Sequence, residues 1–370
     1  MNRNEFKRLI REYAFIEDRD LSGCNMSNLD LTETRFLRCN LSDVNLSDTN
    51  LTQAMFESCT LTGANLQGAN LAHVMLIKCD LTAANLAKTT MDNGLISECN
   101  LTGAALYFSV WSSSIAQECH FEQATFKGAN LQGTIIKDSD LRYCDMSKLH
   151  IEKIAFDGVN FDKVDFRNAV LTKSYMSECD LSSCFMEGVT LSSMQMNKCV
   201  LDKQNLTACT LEKSYFMDTS LIGANLSKVN GNHCAFTRAN LRGANLSQAW
   251  LNHANFEGAI LVDVDLSQSS LTQAQMPNMD ARRARFHRSS CEQADFSHAD
   301  LSHADLTLAN FNRCIFHKTC HQDANWKGSI KVGASWDDEA RAKAESWRIP
   351  SQIQQEIEQA LNEPDKRVTL

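Results

Sequence analysis

What this 370-residue chain lacks narrows its function early. No window approaches the roughly 18 apolar residues of a membrane helix, so no span is expected. The opening stretch MNRNEFKRLIREYAF is charged throughout and has no apolar centre, which predicts a soluble protein without a Sec leader, made in the cytoplasm, with delivery by a specialised secretion system left open. No strongly charged block exists: the net charge of −9 is spread along the chain. Such dilution argues against a phosphate-backbone binder, which clusters Lys and Arg, and is too diffuse to mark a DNA mimic. No nucleophile elbow, phosphate loop or catalytic-triad spacing occurs, so an enzyme is not expected and no cofactor is implied. Cysteine is plentiful, at fifteen, but CxxC is absent, and the closest pairs are Cys179 with Cys184 and Cys314 with Cys320. Neither zinc nor disulfides are expected; the thiols read as small, buried and reduced. With three prolines and fifteen glycines against abundant Leu, Asn, Ser and Ala, the bias calls for a repeat search.

The repeat is five residues long. Taking every fifth residue from Ile16 to Trp326 gives 63 positions, of which 58 are Leu, Ile, Met, Phe or Trp; Ala116, Gly231, Ala281, Cys291 and His321 are the exceptions. Neither a helical period of 3.6 nor a strand period of 2 holds such a register, so each unit is a structural step of its own. Two places before each centre stand small residues such as Ala54, Ala64, Cys39 and Cys59, and thirteen of the cysteines fall in that column. Thirteen of the glycines, including Gly63 and Gly128, stand two places after a centre, where a chain turning every five residues most needs freedom in φ. Aspartates before centres, such as Asp80, Asp140, Asp165 and Asp300, recur with this register and are not an acid–base dyad. Nine of ten histidines occupy the remaining columns and read as solvated, while His321 takes a centre.

Units such as ANLQG at 64–68, ANLSQ at 244–248 and ADLSH at 299–303 resemble the A(N/D)LXX motif of the pentapeptide-repeat family. The resemblance implies an all-β fold: a right-handed quadrilateral parallel β-helix, four units per coil, with the centre and the small residue two before it inward. About 16 coils at roughly 4.8 Å each give a rod about 75 Å long. Three regions are expected: a capping helix over 1–15, the solenoid over 16–334, and C-terminal helices over 335–370. The first follows from Asn2-x-x-Glu5 with the stripe Phe6, Leu9, Ile10 and Tyr13. The last follows from Ser335-x-x-Asp338 opening one helix, and from Ser351-x-x-Gln354 after Pro350 opening another whose Ile353, Ile357 and Leu361 share a face for capping or dimerisation.

Function on such a scaffold is sought where outward residues are not generic. On one face the residue before each centre reads Met55, Met75, Leu95, Ile115, Ile135, Ala155 and Tyr175, breaks at Gln195, and resumes with Tyr215 and Ala235 before Asn255. The other faces carry mostly Asn, Asp, Thr and Ser there. If outward, this column is an apolar strip about 30 Å long rimmed by Glu57, Lys78, Glu98, Lys137 and Asp138, which suits a partner protein or a second copy of the chain. Residues 107–119, with Trp111 and Ala116 at centres, are expected to bend or bulge. Arg282, Arg283, Arg285 and Arg288 suggest an anionic partner surface, with a solvated face as the plainer reading, and Trp250 is an outward anchor candidate. The leading reading is a non-catalytic bacterial interaction scaffold or adaptor; the resemblance adds an association with type VI secretion or delivery as an effector. The alternative it implies is a DNA-mimicking binder of DNA gyrase, dimerised through the C-terminal helix. Rod length, diluted charge and the arginines depart from that pattern.

Overall fold

The computed structural model describes residues 15–347 and 353–355. The helix expected over 1–15 lies outside them except for Phe15, which opens the first strand. Ile357 and Leu361 also fall outside the described residues.

A regular step of twenty residues organises everything between Phe15 and Ser335. Strands β1 (Phe15–Glu17), β2 (Arg35–Leu37), β3 (Met55–Glu57), β4 (Met75–Ile77), β5 (Leu95–Ser97), β6 (Ile115–Gln117) and β7 (Ile135–Lys137) pair in parallel, each with the strand twenty residues on. The same sheet continues through β9 (Ala155–Asp157), β11 (Tyr175–Ser177) and β13 (Gln195–Asn197). A neighbouring face forms a three-stranded sheet from β8 (His150–Glu152), β10 (Val170–Thr172) and β12 (Thr190–Ser192). Elsewhere the rungs are single parallel bridges, running on to Ile315 with Ser335. The chain is thus a parallel β-solenoid with a side chain pointing inward every five residues.

Backbone hydrogen bonds explain the step. The N–H of a centre donates to a carbonyl one coil on, as Leu41 does to Thr60 at 2.7 Å. The N–H of the small residue closes a turn onto the preceding centre, as Val44 does to Leu41 at 3.2 Å. Such a turn needs a left-handed residue at its third position, where Asp43 has φ 54° and Gly63 φ 67°. Most of these corners are not glycine, so Asp, Asn, Lys and Gln accept a conformation they otherwise rarely adopt. The outward Asn or Asp before a centre caps the N–H two residues on: Asn45 accepts from Ser47 at 3.0 Å and Asp80 from Thr82 at 3.0 Å. Each residue type of the motif therefore has a distinct task.

The inward columns fill the rod completely. Leu41, Leu61, Leu81 and Leu101 are fully buried, and burying a Leu side chain stabilises by about 1.5–3 kcal/mol. Rings stack coil on coil, Phe36 on Phe56 at 4.7 Å and Phe216 on Phe236 at 5.1 Å. The bend or bulge expected over 107–119 is absent: Ala116 keeps register with Ile96 and Ile136. Buried Trp111 packs on Phe121 and Phe126 at 6.0 and 6.3 Å, so bulky neighbours make up the volume that Ala116 gives up.

The C-terminal helix also differs from expectation. Ser335 belongs to the last rung, and Asp338 is the N-cap of helix α1 (Glu339–Ser346), accepting from Arg341 N at 3.0 Å. No described helix is long and apolar enough to cross a membrane.

Candidate interaction surfaces

The column before the centres on the ten-stranded face points outward. Met75, Ile115, Ile135 and Tyr175 are 38, 40, 41 and 37 % exposed, and Met55, Leu95 and Ala155 are half-buried between them. Consecutive members are direct ladder partners, Met55 with Met75, Met75 with Leu95, Leu95 with Ile115 and Ile115 with Ile135, so the strip is continuous. Its far end continues past Gln195 to Tyr215, 52 % exposed. Part of the rim is paired: Lys78 lies 3.6 Å from Glu98, and Lys137 is 3.9 and 4.0 Å from Asp138 and Asp157. Each such exposed pair contributes little to stability.

Strand geometry accounts for the missing asparagines. On an extended face no turn asks for an Asx cap, and the three rungs of the second sheet, His150, Val170 and Thr190, lack one as well. Further along the same face, beyond Tyr215 and Ala235, caps appear, with Asn255 accepting from Glu257 N and Asp295 from Ser297 N, both at 2.8 Å. Geometry permits any residue in these strands; it does not call for Met, Ile and Tyr on the water side.

The same straight segments explain the cysteines. After a strand, the N–H of the small residue has no turn carbonyl to reach. Cys59 Sγ accepts it from Cys39 and Cys99 Sγ from Cys79, both at 3.4 Å, while Ser139 Oγ serves Cys119 at 3.0 Å. The thiols in turn donate inward, Cys59 to the Phe36 carbonyl and Cys79 to that of Phe56, each at 3.4 Å. Burial pushes the Cys119 thiol up to about 11 and those of Cys184, Cys234 and Cys314 to about 12, so they stay protonated. The fifteen cysteines are all unbridged, and Cys320 alone is exposed.

The arginine cluster carries less free charge than the sequence suggests. Arg283 is paired with Asp263 at 2.6 Å, Arg282 with Asp280 at 2.7 Å, and Arg285 lies 3.7 Å from Asp265. The Arg282 guanidinium holds the Asp280 carboxyl below its ordinary range, and Arg283 does the same for Asp263. Of the four, Arg288 is exposed without an ion pair among the described residues. Trp250 stands well out at 60 % exposure, on a face away from the strip, between Asn230 and Ser270. Ile353 is exposed.

Sequence reasoning missed the docking of α1. His317, expected to be solvated, is buried: its Nδ1 accepts from Asp338 N at 3.1 Å, which leaves the ring proton on Nε2, 3.2 Å from Glu345. His298, Lys318 and Arg341 reach the same carboxylate at 3.2, 2.8 and 2.9 Å. Two histidines and a glutamate thus converge, but the tautomer and the two cations make the cluster a latch holding α1 to the side of the last coils. Lys318, foremost among these partners, holds Glu345 well below the usual carboxylate range. His321, expected inside, is exposed against Trp326 and Trp336, with ring centroids at 6.0 and 5.5 Å.

Family models match this register. One described as a pentapeptide repeat region covers residues 16–76, and one described as pentapeptide repeats in eight copies covers 64–103, 112–148, 154–188, 219–258, 251–288 and 289–320. No curated protein matches the chain. Among solved structures, full-length QnrB1, a plasmid-mediated fluoroquinolone resistance protein, is 16% identical over 53% of this chain and 96% of its own, with a TM-score of 0.22. HetL of the cyanobacterium Nostoc sp. strain PCC 7120, involved in heterocyst differentiation regulation, is 20% identical over 90% and 94%, with a TM-score of 0.17. Rfr23 of the cyanobacterium Cyanothece 51142 is 20% identical over 40% and 91%, with a TM-score of 0.13.

Proposed function

The chain belongs to the pentapeptide-repeat family, whose models match more than half of it, and on that premise we propose that it is a non-catalytic scaffold that binds a partner protein through its apolar strip. The observation that carries the reading is the row Met75, Ile115, Ile135 and Tyr175, exposed in register on one face where nothing in the fold requires apolar residues. Contiguous apolar surface of this kind on a water-facing sheet marks an interface, and a polar rim surrounds it. Among the described residues the inward columns are filled by packed side chains through Phe316, which supports a non-catalytic role.

Paired charges bear on the gyrase reading in both directions. Aspartates at Arg282, Arg283 and Arg285 remove the repulsion these arginines would offer a DNA-binding saddle, and the same pairs take Asp263, Asp265 and Asp280 out of any duplex-like array. Nothing on the surface speaks for the secretion association, which stays outside the proposal.

Affinity capture of the tagged full chain from its own cells, compared with Met75→Asp/Ile115→Asp/Tyr175→Asp, tests the scaffold. A protein recovered by the wild type and lost with the variant, the variant keeping its circular dichroism, is the expected result. Gyrase subunits recovered equally by both would overturn it.

A further inference from the structure

Many exposed charges of this rod are paired with a neighbour one coil away, as Arg238 is with Asp218 and Lys198 with Glu178. At one corner three exposed cations without such a partner gather. Lys88, Lys127 and Lys148 are exposed, and among the described residues none has an ion-pair partner. They surround two exposed rings, Tyr107 and Phe108, and the backbone binds the group into successive coils: Lys88 N donates to the Tyr107 carbonyl at 2.9 Å, and Phe108 N to that of Lys127 at 3.1 Å. At one strand spacing per coil, Lys88 and Lys148 stand about 14 Å apart along the rod.

Phe108 is built to lie flat. It sits at a corner with φ 58° and is 61 % exposed, and a Cβ at Gly128 would come within 2.6 Å of its Cε1 atom. Glycine at 128 therefore lets the ring rest against the rod with its outer face open to water. A flat ring with three unpaired ammonium groups around it is a recognition surface for a ligand that is both anionic and apolar.

We propose that this corner binds an acidic segment of a partner protein, with carboxylates meeting Lys88, Lys127 and Lys148 and an apolar or aromatic side chain seated on Phe108. Charge complementarity carries the assignment: three uncompensated cations gather within one corner of a chain of net charge −9. Asp145, Asp165 and Glu187 follow on this face and limit an anionic ligand to the short reach of the lysine group, which disfavours a long phosphate track more than a short acidic segment. The corner is not on the strip's face: Phe108 stands seven residues before Ile115 in its twenty-residue coil, which leaves both surfaces free to be occupied at once and the rod free to bridge two partners.

An array of random 15-residue peptides probed with the full chain tests this. Bound peptides should be enriched in Asp and Glu next to an aromatic residue. Binding should weaken with salt and fall about tenfold in Lys88→Gln/Lys127→Gln/Lys148→Gln. Phe108→Asn, which tolerates the left-handed corner, should lower it with the thermal melt unchanged. The proposal is overturned if the bound set shows no acidic bias, or if the triple variant binds acidic peptides as well as wild type. Tighter binding of an oligothymidylate than of any peptide would likewise overturn it and assign the corner to nucleic acid.

Discussion

Where the chain runs straight through a face, the N–H of the residue after the corner loses the turn carbonyl, and Cys59 Sγ replaces it for Cys39 at 3.4 Å. Serine does the same for Cys119 and for Ile154, at 3.0 and 3.1 Å. The sequence shows this column as small and buried, and a small hydrophobe accounts for that pattern fully. Its second task, accepting a backbone N–H, leaves no mark in composition and becomes visible only when strand and turn are told apart. Cys59→Ser should therefore keep most of the stability, whereas Cys59→Ala should lose about 1–3 kcal/mol, from an unmet buried N–H and a small void. Urea unfolding of the two variants decides: equal midpoints would show that the sulfur only fills space.

At the scale of the element, five-residue register hides which faces are extended, because centres look alike in strand and turn. The outward column gives it away. From Met55 to Gln195 no Asn or Asp precedes the centre and the face is strand; the turns resume around Tyr215 and Ala235, and the caps appear at Asn255 and Asp295. Part of what reads in the sequence as a surface signal is thus a strand signal, and the part left over is the choice of Met, Ile and Tyr. Helix α1 was half legible. Asp338 stood out as a capping residue, but the sequence placed it inside the first turn, because Ser335 four places after a centre looks equally able to cap. The latch was not legible at all, since His298, His317 and Glu345 are 47 and 28 residues from one another's contacts. Glu345→Gln weakens the charge-assisted contacts to His298, His317, Lys318 and Arg341, so trypsin should cut at Arg341 or Lys343 several-fold faster while residues 15–335 stay resistant. An unchanged cleavage rate would mean that packing, not the carboxylate, holds α1.

The whole molecule is a ladder whose stability is a sum over coils and their neighbours, so function is free to occupy the outside without disturbing the inside. Period, direction of side chains and the filled core were all legible, because a register kept at 58 of 63 centres has few physical solutions. The corner of Lys88, Phe108 and Lys148 was not, because its members lie twenty residues or more apart in columns that otherwise vary freely. The strip was legible as a column, and its exposure needed the coordinates. The most direct test of the strip is photocrosslinking in the protein's own cells, with a benzophenone amino acid placed at Ile115 in one strain and at Asn255, on the same face beyond the strip, in another. A discrete crosslinked species from position 115 and none from 255 is the predicted result; no adduct from 115, or equal adducts from both, would contradict the claim that the strip is where a partner sits.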